Sequence, residues 1–256
     1  MRTVSAGHTA FAAVMIAVGL FGLIRGDFGP VWEPVPDAVP ARQFLIYLCA
    51  LVSVACGAGL LSPRTAAPAA GVLLSLLLVW LLFFRVPVVV RKPAVEVSWE
   101  GCGETAVMVA GAWALYAGLA TKRARARLGF ATGEQGLRIA RVSFGLALIP
   151  LGVAHLVYLK ETAALVPAWL PWHSAWVYLT GCTYIAAGIA VLTGIRARAA
   201  AALTAVQMGL FSVLVWLPII AAGSRIAFQW SETVLSFALT AAAWVMADSY
   251  RGSAAG

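Results

Sequence analysis

Apolar residues in this chain come in long unbroken runs, not in alternation with polar ones. A membrane-crossing helix needs about 20 mostly apolar residues. Runs of that kind fall near 9–25, 41–61, 66–90, 104–121, 141–159, 174–193, 198–221 and 230–247. Barrel strands would alternate with a two-residue period, so continuous runs point to helices. Inside a bilayer every backbone polar group has to be satisfied within the protein, and helices do this locally. The pattern predicts an all-α integral membrane protein of about eight transmembrane helices.

The runs fall into two related sets of four. Shifted by 131 residues without a gap, Pro36 and Pro40 meet Pro167 and Pro171, Tyr47-Leu48 meets Tyr178-Leu179, and Gly57 meets Gly188. Pro87 then meets Pro218, Trp99 meets Trp230, and Trp113 meets Trp244. Proline and tryptophan are scarce, so this agreement predicts an internal duplication. The expected units are a first four-helix repeat at 1–121, a basic linker at 122–140, and a second repeat at 141–256. An even number of spans per unit makes the repeats parallel, related about an axis along the membrane normal. The first run follows Arg2 as in a signal peptide, but no small-residue cleavage site follows it, so it reads as the first span.

Composition agrees with a membrane reading: 62% of residues are hydrophobic and 11% charged, with mean hydropathy +0.91. The net charge of +8 would raise the question of nucleic acid in a soluble protein. Here the bases sit in short segments beside apolar runs, which is the signature of topology, and no nucleic-acid partner is expected. With the N-terminus inside, Arg2, Arg64, the bases of 122–141, Arg196, Arg198 and Arg251 are cytoplasmic. This predicts a multi-pass protein of the inner (cytoplasmic) membrane with both termini cytoplasmic. Cys49, Cys56, Cys102 and Cys182 form no CxxC and no zinc spacing. Three of them fall inside the expected helices, where a free cysteine is a small hydrophobe.

Acids are distributed unevenly. Asp27, Glu33, Asp37, Glu96, Glu100, Glu104, Glu161 and Glu232 fall on the outer side, with His155, Tyr158 and His173. Glu104 and Glu232 read as opening the fourth and eighth spans, and Arg85 as lying five residues before the end of the third. Charges near an interface cost far less than the roughly 2.5–3.5 kcal/mol of mid-membrane, so snorkelling or an Arg85–Glu104 pair explains them without any activity. The first outer segment of each half, Trp32-Glu-Pro-Val-Pro and Val166-Pro-Ala-Trp-Leu-Pro, is too rich in proline to continue a helix. Both read as interfacial loops folded onto the outer ends of the bundle, either as aromatic anchors or as a lid over a pocket. No metal site is expected from His8, His155 and His173, and no nucleophile motif or phosphate loop occurs.

The run from His155 through Val166-Pro-Ala-Trp-Leu-Pro, then Tyr178-Leu-Thr-Gly and the short basic loop at Arg196, resembles the DoxX and DoxX-like family of four-helix membrane proteins. The likeness covers roughly 141–247. Gly26-Asp-Phe, Trp32-Glu-Pro-Val-Pro and Pro63-Arg-Thr are similar to a divergent form of the same unit. Many relatives carry an acid after the Thr-Gly pair, where this chain has Cys182-Thr-Tyr. The resemblance implies a fused double unit. Family members are membrane subunits of a thiosulfate–quinone oxidoreductase or parts of thiol-stress complexes, and others are assigned chaperone-like roles. One expectation is therefore a redox-associated membrane subunit that binds a quinone-like or lipidic ligand near the outer leaflet, alongside another membrane or periplasmic redox protein. Its ligand-binding set would be His155, Tyr158, Glu104, Glu232, Trp169 and Tyr178. The alternative is a non-catalytic scaffold, for which the small-residue faces at 199–202 and 241–243 suit close packing. No cofactor or catalytic residue is implied, and whether the protein is an enzyme stays open.

Overall fold

The computed structural model describes residues 5–251, and their regular structure is entirely helical. Arg2, used above to orient the chain, lies outside the described residues. The long helices are α1 (Ala6–Arg25), α2 (Arg42–Leu60), α3 (Ala66–Arg91), α4 (Glu96–Leu119), α5 (Gly133–Val157), α6 (His173–Thr193), α7 (Ala197–Ala221) and α8 (Ala227–Asp248). The first seven are long and apolar enough to cross a membrane, which makes this an all-α protein of multi-pass membrane type. α8 is as long, but Gln229, Ser231, Glu232 and Thr233 dilute its apolar content. It packs against α1, α4 and α7, so those polar residues have protein around them.

Local chemistry sets the ends and bends. Ser5 caps α1 by accepting from His8 N at 3.2 Å, and Gly26 closes the helix with a left-handed φ of 64°. α3 and α7 each contain one wide π turn, Leu81–Arg85 and Ser212–Trp216. Pro87 and Pro218 follow directly. A proline has no N–H for the preceding turn, and the wide turn rearranges the freed carbonyls.

Several boundaries differ from the sequence expectation. α4 begins at Glu96, so Glu104 stands two turns inside the helix instead of opening it. Glu232 lies in the second turn of α8 for the same reason. The polar flanks Glu96–Gly103 and Gln229–Thr233 hid these turns, because an apolar run ends where a helix turns polar side chains to its neighbours. The 122–140 segment is not one loop: Lys122–Arg127 is a short helix and α5 starts at Gly133. Cys102 also lies in a helix, and all four cysteines are free thiols.

Sequence neighbours pack side by side: α1 on α2, α2 on α3 and α3 on α4, then α5 on α6, α6 on α7 and α7 on α8. The fourth helix of each half reaches across, α4 packing on α5 and α8 on α1, while α4 and α8 meet in the middle. Paired details recur along the chain. A Cβ on Gly19 would strike Ala50 O and Val54, and one on Gly152 would strike Gly181 O and Ile185. A Cβ on Gly57 would strike Ala12 O and Ile16, and one on Gly188 would strike Gly145 O and Ile149. Trp99 Nε1 donates to Pro93 O and Trp230 Nε1 to Ser224 O, both at 2.9 Å. Ala41 and Trp172, which precede α2 and α6, both have left-handed φ, 54° and 56°. Gly111 of α4 lies directly against Ala242 of α8.

Candidate functional site

The two halves treat their first connecting segment in opposite ways. In the first half it enters the bundle. Pro30–Trp32 forms one turn of 3-10 helix, and Trp32 is 0% exposed. Trp32 Nε1 donates to Ser53 Oγ at 3.0 Å, and Ser53 Oγ donates on to Cys49 O at 2.7 Å. Trp80 Nε1 donates to Trp32 O at 2.8 Å, with the two indoles edge to face at 5.3 Å between centroids. Arg85 donates to the next carbonyl, Glu33 O. The expectation of two loops lying on the bundle ends is thus corrected for the first, which is core.

In the second half the Pro-Trp segment stays outside. Trp169 and Trp172 are 71% and 81% exposed. Beneath it a cavity of about 230 Å³ is walled by α4, α5, α6, α7, α8 and the residues after α5. The sequence candidates His155, Tyr158, Glu104 and Glu232 all line it, whereas Trp169 and Tyr178 do not. Tyr178 points away, half exposed on the outer face of α6. Glu100, Tyr184, Phe211, Trp216, Thr162 and Leu165 also line it and were missed as candidates. The spacing held a signal for some of them. Glu100 and Glu104 are four apart on one helix face, as are Leu151, His155 and Leu151's neighbours Ala154 and Tyr158 at three- and four-residue steps.

The cavity is aromatic and apolar with a few polar groups aimed inward. His155 Nδ1 donates to Leu151 O at 2.8 Å, which leaves Nε2 as the free ring nitrogen. The His155 ring packs on Tyr184 at 5.5 Å, and Phe211 packs on Trp216 at 6.2 Å. Gln207, near Tyr184, donates to Thr180 O at 3.2 Å. Trp216 is only 3% exposed, yet its indole N–H has no partner. A buried donor in that state forfeits about 1–3 kcal/mol unless something else accepts from it.

The acids gather at this end. Glu104 lies within electrostatic reach of Glu100, Glu232, Arg85 and Glu96. Glu232 lies within reach of Glu100 and of Glu33 from the first half. Arg25 Nη1 crosses between the halves to Ser231 Oγ at 3.0 Å. The ion pairs among the described residues are Arg42 with Asp27 and Asp37, and Arg251 with Asp248. None of them engages Glu100, Glu104 or Glu232, so the expected Arg85–Glu104 contact is one of proximity, not a salt bridge. In the connecting segment, burial pushes the Glu33 carboxyl above its usual range, while Arg25 pulls the other way.

Among the described residues no group of three or more His, Cys, Asp or Glu is arranged to hold a metal ion. Two larger grooves, of about 860 and 650 Å³, open between α2, α3 and α4 and between α3, α4 and α5, with almost wholly apolar walls. They lack the convergent polar groups of the smaller cavity.

The fold and site together define a helical membrane-type protein with a polar-lined cavity among five helices. Compared with family models, curated proteins and solved structures, the chain matches none.

Proposed function

We propose that this protein is a membrane subunit that binds a quinone-type ligand in the cavity of its second half, near the outer leaflet. The observation that carries the reading is the polar set of that cavity. A buried indole N–H without an acceptor, a free imidazole nitrogen and the Tyr158 hydroxyl stand around a ring-sized apolar space with unpaired carboxylates. A quinone carbonyl accepts from Trp216 Nε1. A quinol hydroxyl donates to the carboxylate of Glu104 or Glu232, the groups able to take its proton. About 230 Å³ is less than the 300 Å³ or more of drug-sized sites, so it suits one substituted ring with its tail outside. The resemblance to the DoxX-like family supports the same chemistry, with electrons exchanged by a separate membrane or periplasmic redox partner.

The reading includes eight spans in two parallel four-helix units, both termini on the cytoplasmic side of the inner membrane. Supporting it are the paired glycine contacts, paired π turns and paired tryptophan bonds at offsets of 131–133 residues. Gly111 and Ala242 are 131 apart and touch each other, which is what a twofold axis between α4 and α8 requires.

The test is titration of decylubiquinone into the purified protein in lipid nanodiscs. One saturable site is expected, weakened about 3–10-fold in Trp216→Phe, which keeps the ring and removes one hydrogen bond worth about 0.5–1.5 kcal/mol. Absence of saturable binding to the wild type overturns the proposal.

A further inference from the structure

The cavity of the second half has a counterpart in the first, and there it is filled. Ser53 precedes Tyr184 by 131 residues, Trp80 precedes Phe211 and Arg85 precedes Trp216 by the same interval. Between α1 and α5 the interval is 133, the spacing of Gly19 and Gly152, which make the same helix contact, and it is back to 131 by Pro36 and Pro167. Trp32 is placed by its partners: it bonds Ser53 and packs on Trp80, and their counterparts Tyr184 and Phe211 line the cavity, as does Leu165 of the second connecting segment. The indole of the first half is thus matched by an open space in the second, bounded by the Tyr184 ring where the first half has Ser53.

The polar groups match as well. In the first half the donor at the end of the π turn, Arg85, gives its hydrogen bond to a carbonyl of the inserted segment, Glu33 O. In the second half the same position is Trp216, whose N–H is orphaned because no segment enters to accept from it. The missing acceptor therefore belongs to whatever occupies the cavity.

We infer that both halves carry one ring site, that Trp32 is the built-in occupant of the first, and that the second takes a planar aromatic ligand of about indole size bearing an acceptor oxygen. This rests on the ligand-binding reading above and narrows it, since the internal occupant fixes the shape and the orphaned donor fixes the polar edge. The inferred site also explains why the halves are chemically unequal. Arg85 serves a segment of its own chain, whereas Trp216, His155 and the carboxylates serve a ligand from outside.

The test uses the full chain in detergent with two probes, indole for the ring shape and menadione for the ring with carbonyl oxygens. Each is expected to bind the wild type at one saturable site. Leu165→Trp, which puts an indole on the cavity wall from the second connecting segment, lowers affinity for both at least tenfold without lowering the melting temperature. Trp32→Ala lowers the melting temperature, and indole restores it by filling the vacated site. If Leu165→Trp binds both probes like the wild type, or if indole does not bind the wild type, the inference falls. If indole binds and menadione does not, the shared ring site stands, and the quinone reading and the acceptor oxygen fall. The Leu165→Trp arm keeps the test decisive if Trp32→Ala does not fold.

Discussion

Close packing of α5 on α6 holds His155 against Tyr184, and a single methyl group tests it. Gly152 and Gly181 face each other across that contact. A Cβ on Gly152 would come within 2.6 Å of both Gly181 O and Ile185 Cγ1, and 3.1 Å of Ile185 N. Ordinary contact begins at 3.4 Å, so the helices have to part by about 0.8 Å, and backbone atoms cannot rotate away as a side chain would. Overpacking of this kind costs about 1–3 kcal/mol. Against it, alanine gains up to about 1 kcal/mol over glycine inside a helix. Taking about 1 from about 1–3 leaves about 0–2, so Gly152→Ala is expected to lose about 1 kcal/mol as the central value. Gly209 in α7 is the control: its Cβ would meet only Thr240 Cγ2, at 3.4 Å, so Gly209→Ala is neutral or up to about 1 kcal/mol more stable. Thermal unfolding of both variants in one detergent measures the difference. Equal midpoints for the two, or a Gly152→Ala protein as stable as the wild type, would refute the close-contact argument.

Other perturbations probe separate parts of the account. Ser53→Ala removes the acceptor of the buried Trp32 N–H and should destabilise the protein by about 1–3 kcal/mol, read by the same thermal unfolding. Glu33 has its folded pKa raised, chiefly by burial. The folded state therefore holds a proton that the unfolded state gives up first, and the stabilisation is complete below the unfolded pKa of 4.5 and lost as pH rises from there through the folded value. Glu33→Gln should flatten that decline, and a slope between pH 4 and 7 unchanged by the substitution would count against it. Reporter fusions at the 122–127 segment and after α8 should place both on one side of the membrane, with the N-terminus. Opposite sides would mean that α8 does not cross.

Much of the fold was legible in the chain because apolar content alone marks a membrane helix. The seven apolar helices fall where the runs placed them, with most ends moved by a few residues and the starts of α4 and α5 by eight. The exceptions are instructive. α4 starts eight residues before its apolar run because Glu96, Glu100 and Glu104 turn toward neighbouring helices, and hydropathy counts such residues as loop. The cavity was half legible. His155, Tyr158, Glu104 and Glu232 stood out as ionisable or polar residues at apolar ends. Trp216 and Tyr184 looked like ordinary core, and only three-dimensional packing reveals an indole N–H without an acceptor. Trp169 and Tyr178 drew notice through the family-like motif, yet they face away from the cavity. The fate of the two proline-rich segments was not legible at all. Trp32 and Trp169 both read as interfacial aromatics, and what separates them is that Ser53, Trp80 and Arg85 offer the first segment hydrogen bonds inside the bundle.

The most direct test is a cryo-electron-microscopy map of the protein extracted with its native lipids. The account predicts planar density in the second-half cavity within hydrogen-bonding distance of Trp216 Nε1, while Trp32 fills the matching space in the first half. A cavity closed by side chains, with the Trp216 N–H paired inside the protein, would contradict it.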